Sequence, residues 1–209
     1  MTTFVRLLIT KRFFAASYRQ MQILRRNTLV NLLLLSACAA GGCATGGQGV
    51  TLPPLPAWRA PAGNTTIPAV FVANQTRARL PGVPVNYSDN SYTLVNRDWL
   101  DAFITWTWHA QKAVGLNYTA QSFDCENFTV LFSELASIAA AKAGVQAAPL
   151  VAHVVVELDG GKRHALAGVV TDRGIFIVEP QPDAGPFRLW ALEAYPRRIL
   201  AVSYGSFNP

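Results

Sequence analysis

Apolar side chains recur at helical spacing in two segments of the second half of the chain. The first begins at Asn96 or Asp98, either of which can cap a helix, and ends at Gly115. Its apolar stripe consists of Trp99, Phe103, Trp106 and Ala110. The second runs over about residues 126–143 and ends at Gly144. Its apolar face consists of Phe128, Leu131, Phe132, Leu135 and Ala139. Both patterns predict amphipathic helices that pack on a core.

The remainder of the second half is typical of β-strands joined by tight turns. Strands are predicted over about residues 150–158, 162–171, 174–179 and 198–204. Asp159-Gly160-Gly161 and Asp172-Arg173-Gly174 have the composition of hairpin turns. Helices followed by hairpin-connected strands predict an α+β fold, with N-terminal helices packed on an antiparallel sheet.

The region before these elements is rich in Gly, Pro, Asn and Thr. Thr51-Leu52-Pro53-Pro54-Leu55-Pro56 favours an extended chain, and a single strand is predicted near residues 69–73. We therefore expect residues 38–91 to be a tether and residues 92–209 to be the folded domain.

The charge of the chain is unevenly distributed. The 209 residues are 51% hydrophobic and carry a formal net charge of +6. Residues 1–37 hold six basic residues and no acid, whereas residues 38–209 carry twelve basic and twelve acidic residues. The basic balance therefore belongs to the leader, and we expect no nucleic-acid partner.

The leader has the pattern of a secretion signal. Arg25 and Arg26 precede a short apolar stretch that ends in Leu35-Ser36-Ala37-Cys38, which resembles a bacterial lipobox. The resemblance implies a lipoprotein signal peptide over residues 1–37, lipidation of Cys38 and a membrane anchor. Ala39 favours the outer membrane of the cell envelope, facing the periplasm. Met21 offers an alternative start, and an ordinary signal peptide cleaved nearby is the alternative to lipidation.

Cys125 is the one cysteine inside the predicted domain. Of the other two, Cys38 is the predicted lipid site and Cys43 lies in a Gly-rich stretch before the domain. It lies at the predicted start of the second helix, where free amide groups and the helix dipole stabilise a thiolate. A buried inert thiol and a disulfide with Cys43 are the alternatives.

His164 and Glu179 are the residues that could assist this thiol. A two-residue turn between their strands would set Glu179 opposite Leu166 and on the same face as His164, whereas a register slip of one residue would separate them. The imidazole would then accept the thiol proton, and the carboxylate would orient the ring. His153 competes for the role of base.

Other polar groups complete the candidate chemistry. The backbone amide of Cys125 and the side chain of Gln121 are candidates for an oxyanion hole, and Gln181 is a further polar candidate near Glu179. We expect no metal and no cofactor, because no cluster has ligand spacing and no Gly-rich phosphate loop precedes a helix.

Three short motifs resemble the transglutaminase-like and papain-like cysteine enzymes. They are Phe123-Asp124-Cys125-Glu126-Asn127-Phe128, His164-Ala165 and Val178-Glu179-Pro180-Gln181. The resemblance implies a papain-like core with Cys125 as nucleophile, His164 as base and Glu179 as orienting carboxylate.

It further implies an envelope-anchored thiol hydrolase or acyltransferase that acts on amide bonds through a thioester. A cysteine peptidase, an amidase or a transglutaminase-like enzyme would fit, with a peptide, protein or peptidoglycan substrate. The alternative is a non-catalytic lipoprotein that uses this fold as a protein- or peptidoglycan-binding module.

Overall fold

The computed structural model describes residues 52–62, 66–120, 123–184 and 189–205. Contacts between residues separate the chain into two units, residues 1–52 and residues 53–209. The fold described below is that of the second unit.

Three α-helices occur in the described residues. They are α1 (Ala69–Arg79), α2 (Arg97–Ala113) and α3 (Cys125–Lys142). The predicted helices are confirmed by α2 and α3, and Asn96 caps α2 by accepting a hydrogen bond of 2.9 Å from the backbone N–H of Trp99. Gly115 and Gly144 follow these two helices with positive φ angles, which end them as the sequence predicts.

Helix α1 replaces the strand predicted near residues 69–73, and that prediction is wrong. The β-branched and aromatic residues after Pro68 favour a strand locally. The buried residues Ala69, Val72, Ala73 and Thr76 nevertheless follow the spacing of a helix. Helix α1 and the strands β1 and β2 all lie within residues 38–91, the predicted tether.

The strands form two sheets. A three-stranded sheet has the order β1 (Thr66–Pro68), β3 (Ser91–Thr93) and β4 (Ala148–Pro149). A six-stranded sheet has the order β2 (Val85–Tyr87), β9 (Ile199–Tyr204), β5 (Val151–Glu157), β6 (Arg163–Thr171), β7 (Gly174–Val178) and β8 (Leu189–Ala191). The predicted hairpins are confirmed by the antiparallel pairs β5–β6 and β6–β7.

The predicted papain-like α+β core, with helices packed on an antiparallel sheet, is wrong. The described residues form nine strands and three helices, so the sheets dominate the fold. Both sheets are mixed, because β2 pairs with β9 in parallel and β3 pairs with β4 in parallel. Five of the nine strands are two or three residues long, too short to show an alternating pattern in the sequence.

The register of β6 and β7 sets the geometry of the candidate site. Thr171 pairs with Gly174 and Ala167 with Val178, where the ladder ends. In this register Glu179, the next residue, corresponds to Leu166. The predicted register is confirmed. Gly168 in β6 allows close packing on β5, because a Cβ atom there would lie 2.7 Å from a methyl group of Val154.

The core consists of aromatic contacts between α2 and α3 and of a buried hydrophobic cluster on the six-stranded sheet. Phe103 of α2 meets Phe132 of α3 edge to face, with ring centroids 4.9 Å apart. Val72 of α1 belongs to the same buried cluster as Val154 and Leu166 of the sheet. In the part of the chain that the structure describes, every helix is too short or too polar to cross a membrane.

The proline-rich residues 53–58, which we call the strap, lie along α2. The indole N–H of Trp106 donates a hydrogen bond of 2.8 Å to the carbonyl of Pro53, and that of Trp99 donates one of 3.3 Å to the carbonyl of Pro56. Trp58 packs on Trp99 with ring centroids 4.5 Å apart. Acceptors three residues apart suit an extended proline-rich chain, which has three residues per turn.

Candidate functional site

Cys125 is the first residue of α3, and a capping box holds the turn in which it lies. The Asp124 side chain accepts hydrogen bonds from the backbone N–H groups of Glu126 at 3.1 Å and Asn127 at 3.3 Å. The Asn127 side chain in turn accepts one from the Asp124 N–H at 3.2 Å. Sequence analysis missed this role of Asn127, although its position three residues after the cap is the available signal.

The thiol of Cys125 is free and only partly buried. Two acidic side chains lie beside it in the sequence. Burial and then the charge of Asp124 raise the pKa of Glu126 above its ordinary value. The predicted disulfide alternative does not apply to Cys125, and Cys43 lies outside the described residues.

His164 and Glu179 form a close pair beside the thiol. The Nε2 atom of His164 lies 2.6 Å from Oε2 of Glu179, and the other carboxylate oxygen accepts a hydrogen bond of 3.1 Å from the Gln181 backbone N–H. The Cys125 side chain lies near enough to the His164 ring to act as a hydrogen-bonding partner that raises the pKa of the ring. With Nε2 at the carboxylate, Nδ1 is the ring nitrogen left for the thiol.

The pKa of His164 is raised to about 9. Burial is the largest single effect and acts in the opposite direction, because it disfavours the charged ring. The hydrogen bonds with Cys125 and Glu179 and the negative charge of both partners together outweigh it. The site therefore favours a protonated His164 ring at neutral pH.

Tyr195 is a neighbour of this pair that sequence analysis missed. Burial and then the negative charge of Glu179 raise its pKa to about 12, so the phenol stays neutral. Trp190 meets the Tyr195 ring edge to face, with centroids 5.5 Å apart. No spacing in the sequence links Tyr195 to Glu179, since the contact depends on how the chain returns after β7.

The other predicted site residues differ in their relation to this cluster, and Gln181 joins it through its backbone N–H. His153 is buried in β5, and burial lowers its pKa to about 4, so His164 is the imidazole that meets the thiol. Gln181 is buried, and its side-chain nitrogen has no hydrogen-bond partner among the described residues. The oxyanion candidate Gln121 and the predicted lipid site Cys38 lie outside the described residues.

A metal would find few ligands in this region. Among residues 52–62, 66–120, 123–184 and 189–205, no group of three or more His, Cys, Asp or Glu side chains is placed to hold an ion. The chemistry available to the described residues is that of a thiol, an imidazole and a carboxylate.

Known proteins resemble the chain in fold and not in recognisable sequence. No protein-family model matches it, and no curated protein matches it. One solved structure that does match is the Polyporus squamosus lectin bound to the human-type influenza-binding epitope Neu5Aca2-6Galb1-4GlcNAc. The TM-score is 0.51 at 18% identity, over 67% of this chain and 50% of the lectin chain. The PSL1a–E64 complex matches with a TM-score of 0.49 at 20% identity, over 67% of this chain and 51% of that chain.

The chain thus spans about half the length of a lectin chain and shares its fold over that part. The resemblance to transglutaminase-like and papain-like cysteine enzymes is wrong, because a solved structure that shares the fold is a lectin. The predicted thiol hydrolase or acyltransferase acting on amide bonds is overturned by the same finding, as is the alternative of a transglutaminase-like binding module. The lectin match also contradicts the transglutaminase-like, cysteine peptidase and hydrolase descriptions.

Proposed function

We propose that Cys125 is an activated nucleophile that forms a covalent bond with an electrophilic carbon of a bound ligand. The observation that carries this proposal is the His164–Glu179 pair, 2.6 Å apart, beside the Cys125 thiol at the start of a helix. In the step, the S–H bond of Cys125 breaks and its proton passes to His164, which Glu179 orients. The S–C bond forms, and the bond from the attacked carbon to its electronegative partner gives its electron pair to that partner, which takes up the proton from His164. No amide-bond hydrolysis or acyl transfer is proposed.

The ligand that we propose is a glycan or a protein. The fold shared with a lectin that was solved with a sialylated glycan favours the first class, and the partly buried thiol site favours a flexible chain that can reach it. More specifically, we propose that the ligand is a peptide, a protein or peptidoglycan, which combines sugar and peptide. Native mass spectrometry with peptidoglycan fragments, the sialylated trisaccharide and an unrelated peptide would separate these ligands, with Cys125→Ser as the control for covalent capture.

The deciding experiment is alkylation of Cys125 by iodoacetamide between pH 5 and pH 9. The S–C bond forms, the C–I bond breaks and iodide leaves. We expect the wild type to react at pH 6 faster than an unfolded control, because the imidazolium stabilises the thiolate. His164→Ala should slow the reaction at pH 6 by about 100-fold, because it removes the imidazolium that stabilises the thiolate.

Peptide mapping must follow the modification, because the chain contains three cysteines and only the peptide with Cys125 is informative. His109→Ala, which removes an exposed imidazole on α2, is the matched control and should react like the wild type. An unchanged rate in His164→Ala would overturn the proposed function.

We also propose that a lipid on Cys38 anchors the protein to the bacterial envelope, at the outer membrane and facing the periplasm. The lipobox-like sequence before Cys38 is its support. Metabolic labelling with a clickable fatty acid should mark the wild type and not Cys38→Ser. Equal labelling of both proteins would end this proposal.

A further inference from the structure

Asp183 connects parts of the chain that lie on both sides of the candidate site. It belongs to a 3-10 turn, Pro182–Ala184, that begins three residues after Glu179. Its Oδ2 atom accepts a hydrogen bond of 2.9 Å from the backbone N–H of Tyr118, and its Oδ1 atom lies 3.9 Å from Nζ of Lys112. Both contacts are exposed, and the hydrogen bond with Tyr118 is much the shorter, so it is the one that can fix the geometry.

Tyr118 lies in the segment that leads to the thiol. The next residue, Thr119, exchanges two backbone hydrogen bonds with Phe123, of 2.8 and 2.9 Å. Phe123 is buried and meets Phe128 of α3 edge to face at 4.5 Å. A displacement of Tyr118 would therefore be passed to Phe123 and, two residues later, to Cys125.

Asp183 is connected to the carboxylate side of the site just as directly. Gln181 lies two residues before it, and the Gln181 backbone N–H donates a hydrogen bond to Glu179. The contacts thus run from Cys125 through Tyr118 and Asp183 to Glu179. On the other side, His164 lies beside Cys125 and is 2.6 Å from Glu179.

We propose that Asp183 is a positioning residue that sets the distance between the Cys125 thiol and the His164–Glu179 pair. It acts by accepting the hydrogen bond of Tyr118, not through its charge. This inference rests on the proposed function, since it assumes that the thiol reacts with the help of His164.

The test compares Asp183→Ala, Asp183→Asn and Lys112→Met by the pH profile of Cys125 alkylation. Asp183→Ala removes the acceptor, so we expect about a 10-fold lower rate at pH 6 and a profile that approaches that of an ordinary thiol. Asp183→Asn keeps an acceptor oxygen and should restore most of the rate. Lys112→Met removes only the exposed ion pair and should react like the wild type.

Three outcomes would overturn the inference. They are a wild-type profile in Asp183→Ala, an equal loss in Asp183→Ala and Asp183→Asn, and fast hydrogen exchange of the Tyr118 amide in the wild type. The last measurement needs no variant, so it decides even where Asp183→Ala fails to fold.

His164→Ala separates this inference from the proposed function. If it leaves the alkylation of Cys125 unchanged, the proposed function fails. If it slows the reaction while Asp183→Ala does not, only the role of Asp183 fails.

Discussion

His153 and His164 lie on neighbouring strands, and the fold drives them to opposite protonation states. His153 pairs with Ala167 and His164 pairs with Val156, so the two histidines are three residue pairs apart along one ladder. Burial lowers the pKa of His153 to about 4. Burial also opposes the charge on His164, yet its pKa is raised to about 9. The difference shows that burial favours a neutral imidazole at both positions, and that the Cys125 and Glu179 partners of His164 outweigh it there.

The largest expected effect is the difference between the pKa values of the two histidines, which an NMR titration of their rings would measure. We expect the His164 signals to titrate near pH 9 and those of His153 near pH 4, a gap of about five pH units. His153→Leu and His164→Ala would assign the signals. Titration of both rings between pH 6 and pH 7 would break the comparison.

Acid should destabilise the protein through His153 and not through His164. The unfolded His153 takes up a proton near pH 6.5 and the folded one only near pH 4, so stability is lost as the pH falls between these values. A shift of this size corresponds to at most about 3 kcal/mol. His164 is charged in both states below pH 6.5, and its stabilising contribution is lost only as the pH rises through about 9.

Urea unfolding at pH 7 and pH 4 in the wild type and in His153→Leu would measure this effect. The variant replaces the imidazole by an apolar side chain of similar size, so its unfolding free energy should fall less on acidification. It should leave the alkylation of Cys125 within about two-fold of the wild type, because His153 is not the proton acceptor. If the unfolding free energy falls equally in both proteins between pH 7 and pH 4, groups other than His153 cause the loss.

The smallest expected effect comes from Glu179→Gln. The amide keeps a hydrogen-bond acceptor for His164 but removes the negative charge, so the pKa of His164 should fall. Cys125 alkylation at pH 6 should slow by about 10-fold, less than in His164→Ala, because Glu179 acts through the ring. Adding Glu179→Gln to His164→Ala should cost little more, and additive losses would show that the two residues do not act as one unit.

Local patterns in the sequence predicted α2, α3 and the two hairpins, including the register that brings His164 to Glu179. These features depend on contacts between residues that are close along the chain. The fold class did not follow, because it depends on short strands such as β2 that pair with β9 more than a hundred residues away. The three motifs that carried the resemblance comprise twelve residues, and they specify only the start of a helix and the ends of two strands. Such local arrangements occur in many folds, so they do not determine the fold class.

The candidate site divides in the same way. Cys125, His164 and Glu179 follow from the helix start and the hairpin register. Asp183 and Tyr195 could not be predicted in this way. Each lies near the site because of the path of a loop, and loops have no periodic pattern in the sequence.

The strap determines where a shortened recombinant chain should begin. A chain that starts after residue 58 would leave the indole N–H groups of Trp99 and Trp106 without Pro56 and Pro53. It would also remove the Trp58 ring from Trp99 and present an aromatic strip to water, the kind of surface that drives self-association. Expression that retains residues 52–62 avoids this, so the solution behaviour of the protein depends on a segment that resembles a linker in sequence.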